Sequence, residues 1–312
     1  MVSDKVTVGF ANTLIKNIIR DKYLLILIFP VVLYFFIFCY VPMYGVIIAF
    51  KDFNISKGIL GSPWIGFKYF SDFFSSIYCF RLIRNTLMIS LYNLAWGFPI
   101  PIIFALMLNE VRNRWFKRVV QTVSYLPHFV SIVVVVGMMV NFLAPGDGIV
   151  NISLKHFFGL EPIAFFNESK WFRFLYIGSD VWQNFGWNSI IYFAALAGIS
   201  PELYESAVID GANRWKQLWH ITMPSISNTI VILMVLNMGF LMSVGFEKII
   251  LMYNPSTYEV ADVISTYVYR RGILNTDFSF GAAVGLFNSV VNMGLLLGAN
   301  AIGKRVSDIS LF

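Results

Sequence analysis

Residues 204–224 read YESAVIDGANRWKQLWHITMP, a polar run set between long apolar stretches. A chain built of apolar helices has little reason to keep a long, charged, helix-forming connector unless something docks there. Just upstream, Ser200 is placed to cap a helix that begins at Pro201, a favoured first position, with Glu202 and Glu205 near its positive end. Glu202, Glu205 and Ile209 stand at i, i+3 and i+7 and so share one face. Gly211 permits a sharp turn with positive φ. A second short helix follows, and Pro224 is expected to close the connector ahead of the next apolar stretch. Trp215 and Trp219, at i and i+4, offer a second reading, an amphipathic helix dipping into lipid headgroups. That reading leaves the Glu–Gly–Pro spacing without a reason.

The composition sets the surroundings. The chain has 312 residues, 58% hydrophobic and 13% charged, where a soluble domain carries roughly 25% charge. It is a polytopic membrane protein by that measure, and its 17% aromatic content suits lipid-facing helices with interfacial belts. The net charge of +6 comes from basic residues at the ends of apolar runs. They form no contiguous stripe, which argues against a nucleic-acid partner. Cys39 and Cys79 lack a CxxC partner or a histidine at metal-ligand spacing and read as two unpaired thiols. Lys5, Lys16, Arg20 and Lys22 precede the first apolar run, but no A-x-A-like site follows and the run continues to residue 50. It reads as an uncleaved first span rather than a leader.

Apolar segments at 24–49, 86–108, 119–143, 174–199, 226–245 and 280–302 each reach the roughly 20 residues a bilayer crossing needs. Backbone in lipid must satisfy its own hydrogen bonds, so the expected class is all-α with six transmembrane helices. The organisation that follows is a cytoplasmic segment 1–23, a first helix 24–50, a five-helix core 84–302 containing the connector 200–224, and a cytoplasmic tail 303–312. Pro30 and Pro42 predict a bend or end near residues 40–42, and Pro99 and Pro101 a kink in the second span. Arg112, Arg114, Lys117 and Arg118, packed between two spans, decide an orientation with both termini and the 204–224 connector inside.

The fourth segment carries Asp180, Gln183, Asn184, Trp187 and Asn188 on one helical face. Charged groups near the bilayer centre cost roughly 2.5–3.5 kcal/mol each, so this face turns toward protein or a water-filled cavity. It reads either as part of a path for a hydroxyl-rich solute, since hydroxyls want amides and carboxylates, or as hydrogen-bonding glue between helices. Asn93, Asn237 and Glu247 carry the same two readings more weakly. Gly281, Gly285, Asn288, Ser289 and Asn292 make a small, polar face in the last span that suits helix packing. Residues 298–304 match seven positions of a phosphate-binding loop, but Arg305 stands where Ser or Thr is needed and no strand precedes it. His128, His156 and His220 are far apart in sequence, so neither a metal site nor a catalytic site is expected.

The spacing Glu205-Ser206-Ala207, three residues, Gly211, nine residues, Ile221-Thr222-Met223-Pro224 closely resembles the cytoplasmic coupling loop of ABC-importer permeases. That loop reads Glu-Ala-Ala, three residues, Gly, nine residues, Ile, any residue, Leu, Pro; Ser206 and Met223 depart from it by small changes of volume. Glu205, Ala207, Asp210, Gly211, Ile221 and Pro224 match. Stretches 40–45, 245–249 and 253–270 are similar to the sugar-permease branch, in particular its oligosaccharide and aldouronate-type systems. The resemblance implies a permease fold with a cytoplasmic coupling helix, and alternating access driven by an ATPase dimer that grips the loop. It implies a second permease subunit and an extracytoplasmic binding protein that delivers an oligosaccharide. ATP and magnesium would belong to the ATPase, with no cofactor on this chain. An ion-coupled secondary sugar transporter is the alternative.

Overall fold

A computed structural model of the chain describes residues 20–307. The expected cytoplasmic segment 1–23 lies largely outside the described residues, and the tail 303–312 partly so. The chain divides between Phe67 and Lys68 into two compact units.

The first unit is dominated by α1, Lys22–Phe50, an uninterrupted helical run of 29 residues. Leu24, Phe29, Val32 and Phe36 point in different directions and are all exposed, as a helix surrounded by apolar medium requires. Of the bend or end that the sequence led us to expect near residues 40–42, the end does not occur: Pro42 lies within the helical run. Its ring and missing N–H would disturb the carbonyl four residues back, and a π-helical turn over Phe36–Tyr40 widens the ladder there. A 3₁₀ stretch, Tyr44–Phe50, finishes the helix. Lys51 then pairs with Trp64 in an isolated antiparallel bridge and donates its Nζ to the Ile59 carbonyl at 2.7 Å.

The second unit is helical throughout the described residues. A short α2, Lys68–Phe74, precedes α3, Cys79–Asn109. The break expected from Pro99 and Pro101 falls at Phe98, between two helical segments. Then come α4, Arg114–Phe129, and α5, Ile132–Phe142, bent by 96° from each other. The sequence reading has 119–143 as one span and places no bend in it. Instead Pro127 tightens the end of α4 into a 3₁₀ turn, and Ser131 restarts the helix by accepting the Val134 amide. The basic cluster Arg114, Lys117 and Arg118 lies on the first turns of α4, which Asn113 caps through Trp115 and Phe116. After α6, Ile149–Phe158, come α7, Ser169–Ala197, α8, Pro201–Ile209, and α9, Arg214–Met238. The chain closes with α10, Phe246–Met252, α11, Ile264–Val268, and α12, Phe278–Ser307.

Among the described residues four helices meet both the length and the apolarity for crossing a bilayer, namely α1, α3, α9 and α12, and the bent pair α4–α5 makes a fifth if it is one span. At 29 residues and 1.5 Å per residue α7 is roughly 43 Å long, but its amides and Asp180 lower its apolarity below the others. It is the centre of the unit, packing on α3, α4, α9 and α10. At its crossing with α4 a Cβ on Gly186 would lie 2.1 Å from the Ser124 carbonyl oxygen, so only glycine allows the two backbones to meet.

The end of the unit that carries α10 and α11 is held by polar stitching. Asn85 of α3 donates to the carbonyls of Glu259 and Asp262, and Thr86 accepts the Ile264 amide. Buried Asp262 takes a two-pronged hydrogen bond from Arg270 at 2.6 and 2.9 Å. Burial opposes the Arg270 charge, yet its hydrogen bonds to Asp262 and Tyr253 outweigh that and hold the guanidinium above its ordinary value.

Candidate functional site

Two features stand out, an exposed elbow and an internal cavity. The elbow is built as its sequence requires, with two differences. Helix α8 starts at Pro201, but the Ser200 side chain makes no capping hydrogen bond. Gly211 takes φ +71°, and the Ala212 amide reaches back to the Ala207 carbonyl at 2.8 Å, the pattern of a left-handed helix stop. Asn213 then caps α9 by accepting the Lys216 amide, and Gln217 Nε2 donates to the Ala212 carbonyl at 2.9 Å. Tyr204 Oη and Thr222 Oγ1, 2.9 Å apart, tie the two arms together. Arg214 pairs with Glu110 at the end of α3.

Pro224 does not close the elbow. A π-helical turn over Leu218–Thr222 absorbs the amide that Pro224 lacks, and α9 runs unbroken for 25 residues from the elbow to Met238. Ile221 lies within that turn. Glu205, Val208, Ile209 and Asp210 face outward, with Ile209 86% exposed. Glu205 and Asp210 carry no ion pair or side-chain hydrogen bond within the described residues. Ala207 faces inward in part, and the Ser206 hydroxyl donates to its own helix at Glu202. Trp215 and Trp219 are both exposed.

The cavity, of about 300 Å³, lies between α3, α7 and α9. Five of the sequence candidates line it: Asn93, Asp180, Asn184, Asn188 and Asn237. Two residues of the polar face of α7 turn elsewhere. Gln183 is buried and donates to the Val130 carbonyl at 2.8 Å, pinning the bend between α4 and α5. Trp187 stacks on His128, centroids 4.5 Å apart and planes 5° from parallel. Glu247, at the start of α10, is exposed and does not line the cavity.

Its neighbour Lys248, which the sequence reading passed over, is 4% exposed. Its Nζ lies 3.5 Å from Asp180 Oδ1 and 4.8 Å from the centre of the Tyr176 ring. The pair leaves the cavity with one neutralised acid and a set of amides and hydroxyls, including Ser90, Tyr192 and Ser243. Such a lining offers both donors and acceptors to a polyhydroxylated molecule. A lone lysine within the apolar run FEKIILM was the signal that could have marked Lys248 as buried and in need of an acid.

The remaining motifs resolve as structure. Residues 298–304 lie inside α12, where no loop exists to cradle a phosphate. Asn292 of α12 holds the end of α9 in place, accepting the Met242 amide and donating to Ser243 Oγ. Gly281 packs on Gly272. Among the described residues no group of three His, Cys, Asp or Glu side chains is placed to hold a metal ion.

Residues 97–308 match the family described as binding-protein-dependent transport system inner membrane component. Protein LplB of Bacillus subtilis (strain 168) is 45% identical over 293 residues, which cover 94% of this chain and 92% of LplB. The polygalacturonan/rhamnogalacturonan transport system permease protein YteP of the same organism is 44% identical over 299 residues, 96% of this chain and 93% of YteP. A crystal structure of a bacterial ABC transporter involved in the import of the acidic polysaccharide alginate matches with a TM-score of 0.87 at 45% identity, covering 95% of this chain and 99% of that one. A bacterial alginate ABC transporter in complex with its alginate pentasaccharide-bound periplasmic protein matches equally well, at 44% identity.

Proposed function

The chain belongs to the inner-membrane components of binding-protein-dependent transport systems, and from that premise we propose that it carries an oligosaccharide through the cavity between α3, α7 and α9, moved by force applied at the 204–224 elbow. It is a multi-pass cell-membrane permease of an ABC importer and not itself an ATPase. It works with a second permease, an ATPase pair that hydrolyses the nucleotide, and an extracytoplasmic binding protein. The ion-coupled alternative has no support in this family.

The observation that carries the reading is the continuity of α9. One helix begins at the elbow, with Arg214, and ends at the cavity, where Leu233 and Asn237 form part of the wall. At 1.5 Å per residue it spans roughly 37 Å. Helix α7, another cavity wall, leads into α8 through Gly198 and Ser200. A partner that grips Glu205, Val208, Ile209 and Asp210 therefore holds both walls at once. Exposed apolar side chains beside unpaired carboxylates are what a docking surface offers.

The substrate class rests on the amide-rich lining and on the relatives. The proteins similar to this chain include a permease named for polygalacturonan/rhamnogalacturonan transport and an ABC transporter involved in the import of alginate. An oligosaccharide of the uronate-containing, aldouronate type fits that company. The elbow and the basic turns of α4 lie on the cytoplasmic side in this reading, with the termini inside and α7 counted as the sixth crossing.

The test is uptake of oligogalacturonate by the complete complex reconstituted in proteoliposomes. Uptake is expected only with ATP and the ATPase present, and to survive an ionophore. Uptake by this chain without an ATPase would overturn the proposal.

A further inference from the structure

We infer that His128, outside the cavity, is a positioning residue that fixes the orientation of the Asn184 carboxamide and so sets which hydrogen bonds the cavity offers its sugar. The inference rests on the reading of the cavity as the sugar path.

The geometry leaves little freedom. Asn184 lies between Asp180, one helical turn before it, and His128, which approaches from the end of α4. Asp180 is paired with Lys248, and an ionised carboxylate can only accept. The Asn184 nitrogen must therefore face it, as it does at 3.3 Å. That turns Asn184 Oδ1 toward His128 Nδ1, at 2.9 Å. An oxygen there needs a donor, so the ring must carry its proton on Nδ1. The ring is not free to turn away, because it lies flat on Trp187 at 4.5 Å. Pro127 and the hydrogen bond from Gln183 to the Val130 carbonyl fix the turn that presents it.

One amide hydrogen of Asn184 goes to Asp180, and the other has no partner among the described residues. It is available to a hydroxyl in the cavity that Asn184 lines. Without His128 no donor would hold Asn184 Oδ1 on its side, and the 3.3 Å contact to Asp180 would be left as the remaining restraint on the carboxamide. The histidine and tryptophan thus contribute to the path without lining it. The bend between α4 and α5, which the sequence shows only as a proline in an apolar run, is what brings the histidine to this position.

The proton on Nδ1 is visible to ¹⁵N NMR of histidine-labelled protein within the complete complex. A proton on His128 Nδ1 is expected, moving to Nε2 in Asn184→Leu; a ring protonated on Nε2 alone in the unaltered protein would overturn the inference. Transport kinetics with oligogalacturonate give the second arm. His128→Phe is expected to raise KM about tenfold with kcat little changed, the scale of one well-placed hydrogen bond, and His128→Gln, which keeps a donor, to restore most of it. In an Asn184→Leu background His128→Phe should have no further effect on KM. An equal effect in both backgrounds means that the histidine only braces the bend, and the inference fails. An Asn184→Leu protein that transports like the unaltered one sinks the sugar-path reading instead, while leaving the NMR result to stand on its own.

Discussion

The elbow at 204–224 and the polar face of α7 are two places where this membrane chain keeps groups that lipid would reject, and they use them in opposite ways. The elbow is held in shape by the glycine stop, the Asn213 cap and the Tyr204–Thr222 side-chain tie, while Glu205, Ile209 and Asp210 are left exposed. On α7 almost every polar side chain is already spoken for, to His128, Val130 or Lys248, and only part of the set faces the cavity. One region stores unsatisfied contacts for a partner. The other spends most of its contacts on holding itself in shape. Substitutions should therefore separate stability from transport differently in the two places.

The largest effect is expected where α7 has no slack. Gly186→Val drives a side chain into the Ser124 carbonyl, and overpacking of this kind costs at least about 1–3 kcal/mol. The complex should melt far earlier or fail to assemble, and an unchanged melting temperature would refute the close crossing. Glu205→Arg should do the reverse. Its side chain is exposed and makes no ion pair or hydrogen bond within the described residues, so thermal stability should stay within about 0.5 kcal/mol while substrate-stimulated ATP hydrolysis and uptake disappear. Normal transport by this variant would remove the elbow from the mechanism. Asn188→Leu, in the cavity wall, should leave the fold intact and lower transport about tenfold, the loss that follows when a hydroxyl meets no partner. The smallest effect belongs to Gly211→Ala. At φ +71° a Cβ costs about 1 kcal/mol, enough to slow transport a few-fold without abolishing it.

The same contrast explains what could be read from the chain beforehand. Pro201, Gly211 and the spaced glutamates act through neighbours a few residues away, so the elbow was visible as a string of local rules, although the cap expected from Ser200 is not made. Pro224 misled for the same reason. Locally it ends a helix, and only the wider turn at Leu218–Thr222 lets α9 pass through it. The polar face of α7 was visible as a period. What it faces was not, because His128 and Lys248 come from 56 and 68 residues away. Gln183 and Asn184 are identical in kind to a periodicity argument, yet one holds a bend and the other lines a cavity. The bend itself was hidden in an apolar run whose composition is that of a straight span. The overall class and the five cavity residues followed from composition and spacing; the division of labour among them required the packing.

The continuity of α9 is the claim on which transport coupling depends, and it can be measured. Spin labels at Trp215, at the elbow end of α9, and at Leu236, at its cavity end, both exposed, report the distance along this lever by pulsed EPR in the complete complex. If elbow and wall move as one body, the distance distribution is the same with and without ATP, while uptake by the labelled complex continues. A distance that changes with nucleotide while transport persists would mean that the helix flexes between them, and that the elbow does not move the cavity through α9.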